Sequence, residues 1–236
     1  MCGIVGFTGR RADREEILKA MMDAIAHRGP DGAGSYFGDG VALGHRRLSI
    51  IDIEGGRQPM FNEDKRLAVV FNGEIYNFME LRAQLQAAGH TFASDHSDTE
   101  VLLHGYEEWG EGMLEKLRGM FAFAIWDEAD QSLFCARDPF GIKPFYYYTN
   151  AEGELLFGSE IKSFLPHPGF VKELNEERLP EYLSIEYIPN AETMFKNVYK
   201  LPGAHRFTFK DGKLTVSRYY DIAYHVDHSK TLEDWK

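Results

Sequence analysis

Cysteine is scarce in this chain. Only Cys2 and Cys135 occur in 236 residues, so no disulfide framework is indicated and the sequence reads as cytoplasmic. There is no Asn-x-Ser/Thr acceptor, and the start lacks the basic segment and long apolar run of a secretory signal. No apolar stretch approaches the length that crosses a bilayer. Positive charge is in deficit: the net charge of −11 argues against nucleic acid or an anionic membrane surface as a partner. Nucleotide-binding loops are missing too, with neither a complete Gly-x-Gly-x-x-Gly nor a P-loop. No repeat or low-complexity tract is present. Apolar residues are plentiful, at 44% hydrophobic, which suffices for the core of one large domain with at most an appendage.

The apolar pattern separates helical from extended stretches. Residues 4–8 read as a strand. Over residues 13–26, Ile17, Leu18, Met21, Met22 and Ile25 share one helical face, and Asp13 with Glu16 makes a capping-box pattern. Gly29-Pro30 stops that helix. Residues 41–51 and 66–71 read as strands. Asn77 and Glu80 make a second capping-box pattern ahead of Phe78, Leu81 and Leu85, with Gly89 at the far end. A third helix spans about 98–109. Strands follow at 120–126, 132–136, 145–149 and 155–158, then a short helix at 159–165. Asp211-Gly212 is a strong hairpin signal between strands at 205–209 and 214–219. Helices and strands are grouped rather than alternating, which predicts an α+β fold with antiparallel sheets. Strands apolar on both faces predict two sheets packed together with helices outside. Residues 221–236 are polar and read as a linker or tail.

Cys2 stands directly behind the initiator methionine. If Met1 is removed, one residue carries both a thiol and a free α-amine. The thiol ionises near about 8.5 and the amine near about 7.7–8.0, so part of the amine is unprotonated at neutral pH and can accept the thiol proton. The alternative is a small buried hydrophobe near the terminus; Cys135, in an apolar run, is most simply that. Asn72-Gly73 could aim a side-chain amide and a backbone N–H at an oxyanion. The same dipeptide is also a hairpin-turn signal, which is the reading favoured for this segment alone. Arg47 offers a fork for a carboxylate, with Asp98 or Glu74 facing an ammonium; the alternatives are a surface arginine and an N-cap. His96, Asp98 and Glu100 are too few and too local to suggest a metal site, and none is expected.

Together these segments resemble class II glutamine amidotransferase domains, in particular the N-terminal glutaminase domain of glutamine-hydrolysing asparagine synthetases. The residues carrying the resemblance are Met1-Cys2-Gly3-Ile4, His27-Arg28-Gly29-Pro30-Asp31, Arg47-Leu48-Ser49-Ile50-Ile51-Asp52, Gln58-Pro59, Asn72-Gly73-Glu74-Ile75-Tyr76-Asn77 and Ser97-Asp98-Thr99-Glu100. Gly119-Met120-Phe121-Ala122-Phe123-Ala124 and Arg137-Asp138-Pro139-Phe140-Gly141-Ile142-Lys143-Pro144 extend it, so that it covers residues 1–220. The resemblance implies a four-layer αββα sandwich of the N-terminal-nucleophile hydrolase type, with two mainly antiparallel sheets between helical layers. It implies an enzyme that hydrolyses L-glutamine through a γ-glutamyl thioester on Cys2, with Asn72 and Gly73 as oxyanion hole. Arg47 would hold the substrate carboxylate, Glu74 and Asp98 would surround the α-amino group, and Leu48, Ser49, Ile50 and Ile51 would form the pocket wall. Arg28 would support the pocket. In that family an ATP-dependent synthetase domain follows and receives the ammonia. Its Ser-Gly-Gly-x-Asp-Ser loop is missing here, where the only Gly-Gly is Gly55-Gly56. The expectation is therefore a truncated fragment whose residues 221–236 lead toward that missing domain. No cofactor is expected in this chain, ATP and magnesium belonging to the missing domain. A homodimer is one assembly the resemblance allows. Two competing readings are a catalytically silent glutamine-binding or assembly module and the glutaminase domain of another amidotransferase.

Overall fold

A computed structural model describes residues 1–49, 56–224 and 227–235. The end of the strand expected at 41–51 and parts of the tail expected at 221–236 lie outside the described residues. In chain order the elements are β1 (Gly3–Thr8), α1 (Arg14–Ala24), β2 (Gly32–Gly38), β3 (Val41–Arg47), β4 (Met60–Phe61) and β5 (Leu67–Ile75). Next come α2 (Phe78–Ala88), α3 (Glu100–Trp109), β6 (Gly119–Asp127), β7 (Ser132–Arg137), β8 (Tyr146–Thr149) and β9 (Leu155–Gly158). The chain ends in α4 (Leu179–Ile185), β10 (Val198–Lys200), β11 (His205–Lys210) and β12 (Lys213–Arg218).

The strands form two six-stranded sheets, ordered β10-β8-β9-β1-β3-β2 and β12-β11-β7-β6-β5-β4. Neighbouring strands are antiparallel throughout. Successive side chains of a strand point to opposite faces, and here both faces are apolar. From β6, Ala122, Ala124 and Trp126 join an inner layer with Ile4, Val41, Leu43, Ala68, Val70 and Cys135. Phe121, Phe123 and Ile125 of the same strand face outward onto Leu81 and Leu85 of α2 and Val101, Leu102 and Leu103 of α3. Val5 and Phe7 of β1 face the other way, onto Ile17, Leu18, Met21 and Met22 of α1. The order is helix, sheet, sheet, helices: the αββα sandwich. Each fully buried phenylalanine contributes about 1.5–3 kcal/mol.

Several local expectations need correction. Asn72-Gly73 is not a turn. Both residues continue β5, whose ladder with β6 runs unbroken from Leu67 opposite Asp127 to Ile75 opposite Gly119. Nine cross-strand pairs outweigh a two-residue turn preference. The capping boxes do not form either. Asp13 and Asn77 make no side-chain cap bond; Asp13 pairs with Arg11, and Asn77 bridges Lys116 O and Arg118 N. Asp98 is not the N-cap of α3, a place taken by Thr99. The short helix expected at 159–165 is a 3-10 turn over Ile161–Phe164. The Gly-rich β2, the short β4 and β10, and α4 carry no clear periodicity in sequence. The Asp211-Gly212 hairpin forms as expected, with φ of 51° and 71° at its two central residues between paired Lys210 and Lys213.

Candidate active site

Strand alternation decides where the chemistry meets. In β1 the even residue Ile4 points into the inner layer, and the same alternation carried back points Cys2 that way. In β3 the inward set Val41 and Leu43 continues to His45 and Arg47; in β5, Ala68 and Val70 continue to Asn72 and Glu74. These side chains converge at one end of the inner layer, where they line a single cleft. Gly73, Leu48 and Asp98 line it as well.

Cys2 is half-buried. Its Sγ lies 3.4 Å from the Leu48 N–H and 3.6 Å from the Leu48 carbonyl. The first bond donates to sulfur and the second is available to a protonated thiol. The Cys2 carbonyl accepts from Arg28 Nε at 3.0 Å. Arg28 in turn pairs with Glu160 at 3.1 Å, which also meets His27 at 2.9 Å and Lys162 at 3.1 Å. Burial pushes the Glu160 carboxyl up, but the bonds from Arg28, His27 and Lys162 outweigh it and leave the group below its ordinary value. Gly29 lets this segment close on β3: a Cβ there would sit 2.3 Å from Arg46 C and 2.4 Å from Arg47 N. Asp31 finishes the clamp by donating its N–H to Arg47 O at 3.0 Å and accepting the Ser49 N–H at 2.8 Å. The segment from His27 to Asp31 thus braces both the strand that follows Cys2 and the strand end that presents Arg47 and Leu48.

Across the cleft, Asn72 is 2% exposed. Its Nδ2 has no hydrogen-bond partner among the described residues. A buried amide N–H₂ without a partner costs roughly 1–3 kcal/mol, so it marks a donor awaiting an acceptor. Asp98 accepts the Ile75 N–H at 2.9 Å. Burial pushes its carboxyl up to about 6; the Ile75 N–H works against that rise, and nearby Glu74 adds to it. Burial pushes the His45 imidazole down to about 4, so it is neutral at pH 7. Its Nε2 donates to Phe71 O at 3.2 Å.

Sequence reasoning passed over several lining residues. Gln58 ties the two sides together, accepting Phe71 N–H at 2.6 Å and donating to Thr99 at 3.4 Å. Lys143, 6% exposed, also lines the cleft, and its Nζ donates to Met1 Sδ at 3.5 Å. Both lie inside motifs already noted, and that membership was the available signal. Ile50 and Ile51 lie outside the described residues.

Comparison with known proteins supplies the lineage. Residues 1–220 match the glutamine amidotransferase domain family. The chain belongs to this family. The amidotransferase domain is 45% identical over 226 residues to asparagine synthetase (glutamine-hydrolysing) 1 of Bacillus subtilis, covering 93% of this chain and 35% of the relative. It is 40% identical over 240 residues to asparagine synthetase (glutamine-hydrolysing) 3 of the same organism, covering 99% of this chain and 39% of the relative. The chain thus spans 35–39% of the length of these two relatives. Among solved structures, glutamine phosphoribosylpyrophosphate amidotransferase from B. subtilis superposes with a TM-score of 0.68 at 19% identity, covering 93% of this chain and 49% of that one. At that identity the likeness speaks for the shared fold. No helix among the described residues is long and apolar enough to cross a membrane.

Proposed function

We propose that this domain hydrolyses L-glutamine to L-glutamate and ammonia through a γ-glutamyl thioester on Cys2. The observation that carries the reading is the buried, partnerless Nδ2 of Asn72 in the same cleft as the Cys2 sulfur. With Met1 removed, the α-amine of Cys2 accepts the thiol proton and the sulfur attacks the side-chain amide carbon. The oxyanion so formed accepts from Asn72 Nδ2 and the Gly73 N–H. Collapse breaks the C–N bond, and the proton held by the amine leaves with ammonia. Water then hydrolyses the thioester by the same proton relay in reverse, releasing glutamate. Arg47 pairs with the substrate carboxylate, and Asp98 with Glu74 takes the α-ammonium. Leu48 and Ser49 belong to the wall.

The named relatives support a destination for the ammonia: asparagine formation in an ATP-dependent synthetase domain. Residues 1–220 form the glutaminase unit on this reading, and 221–236 lead toward its partner domain. Two free cysteines and the absence of an Asn-x-Ser/Thr site fit a cytoplasmic protein.

The test is glutamate release from glutamine, with intact mass recorded. Protein lacking Met1 should be active. Cys2→Ala should abolish turnover while glutamine binding persists, because the head-group contacts remain. Asn72→Ala should lower turnover by ~10²–10³. Turnover that survives Cys2→Ala would overturn the mechanism.

A further inference from the structure

Away from the cleft, two imidazoles converge on one carboxylate. His104 and Glu107 lie one turn apart on α3. His90 follows Gly89, whose φ of 107° turns the chain off the end of α2. One ligating atom from each of the three residues lies within 4.8 Å of the others. Glu107 Oε2 is 3.0 Å from His104 Nδ1 and 3.7 Å from His90 Nδ1. Two ligand atoms about 2.0–2.2 Å from a tetrahedral zinc ion stand roughly 3.4 Å apart. The two observed separations bracket that value.

The opposite atom of each residue is already engaged. His104 Nε2 faces Glu100 at 3.7 Å, and His90 Nε2 bonds Glu108 at 3.2 Å. Glu107 Oε1 accepts from Asn62 Nδ2 at 2.7 Å. Glu100 is fixed in turn by the N–H groups of Ala93 and Ser94. Metal-bound histidines characteristically donate their remaining ring N–H to a carboxylate, and metal-bound carboxylates are themselves hydrogen-bonded. The inner atoms His104 Nδ1 and Glu107 Oε2 are hydrogen-bonded to each other at 3.0 Å, a bond that an ion taking both atoms replaces. Charge agrees: three carboxylates surround two imidazoles whose ring centres are 5.1 Å apart. Protonating both rings would set like charges side by side, whereas one dication satisfies the whole group.

We propose that His90, His104 and Glu107 bind one divalent transition-metal ion of the zinc type, with water completing the coordination. Imidazole nitrogen with a single carboxylate selects such ions over calcium or magnesium, which take oxygen ligands. The ion ties the end of α2 to α3, the helix that follows the Ser97 to Thr99 segment lining the cleft. Its role is structural.

Zinc chloride titrated calorimetrically into chelator-treated protein tests this, in a Cys2→Ala background so that the reactive thiol cannot serve as ligand. One ion per chain is expected. His90→Gln and Glu107→Gln should each weaken binding at least tenfold, and Glu108→Ala, which removes the acceptor of the outer nitrogen of His90, about 10–100-fold. Added zinc should raise the urea unfolding midpoint of the parent, and should leave the midpoints of His90→Gln and Glu107→Gln close to their own zinc-free values. No stoichiometric binding, or an affinity in His90→Gln and Glu107→Gln equal to the parent's, would overturn the assignment.

Discussion

Asp98 pays for its position in the free domain. Burial raises its carboxyl from 3.8 to about 6, so once ionised at pH 8 it costs the folded state about 3 kcal/mol at most. The sign follows from the direction of the shift. A raised folded-state value means stability is highest below pH 3.8 and is lost as pH climbs through about 6, staying level above that. Asp98→Asn keeps an oxygen for the Ile75 N–H and removes the charge. Because the group is partly solvated, a gain of about 1–2 kcal/mol at pH 8 is expected, or roughly 2–8 °C in melting temperature for a domain of this size. Near pH 4 the wild-type group is neutral in the fold and the gain should vanish. Glutamine should suffer in the opposite direction: losing a charged partner for its ammonium costs about 1.5–3 kcal/mol, a roughly 10–100-fold rise in KM. Thermal melts at the two pH values and steady-state glutamate release measure both effects. A variant less stable than the parent at pH 8, or a gain independent of pH, would refute the reasoning.

Gly73→Ala should damage both stability and turnover. Its Cβ would fall 2.2 Å from Met120 O and 2.8 Å from Phe121 Cα, and backbone cannot swing aside as a side chain does. The β5–β6 ladder must part, at about 1–3 kcal/mol, and the displaced N–H should lower turnover by at least ~10²; unchanged glutamate release would remove Gly73 from the proposed oxyanion hole. Thiol labelling offers a separate check. Cys135 is fully buried and burial pushes its thiol well up, so a disulfide reagent should modify one thiol per native chain and two after denaturation. Cys2→Ala should abolish native labelling, and rapid labelling of both thiols in the native wild type would contradict the closed inner layer.

Much of the layer order was legible because it rests on pattern. Strands such as 120–126, apolar at every position, have nowhere to go except between two apolar surfaces. The helical face of Ile17, Leu18, Met21 and Met22 is equally plain. The errors share one cause, local chemistry overruled from a distance. Asn72-Gly73 carries turn residues but lies in a ladder set by Phe121 and its neighbours. Asn77 has the spacing of a cap, yet its amide is spent on Lys116 and Arg118, some 40 residues away in sequence. Gln58 and Lys143 lie inside motifs noted in the sequence, but nothing local shows that their side chains reach the cleft. The meeting of His90 with Glu107 depends on how α2 packs against α3, which periodicity does not report.

The proposed nucleophile and the amide that would receive the oxyanion stand on different sheets. Their separation is therefore gauged by the layer between, to which β5 and β6 contribute the small side chains of Ala68, Ala122 and Ala124. These alanines act as the shims of the reaction. Ala122 stands directly across from Asn72 in the β5–β6 ladder, so a single added methyl there would wedge the sheets apart and shift that amide against the sulfur.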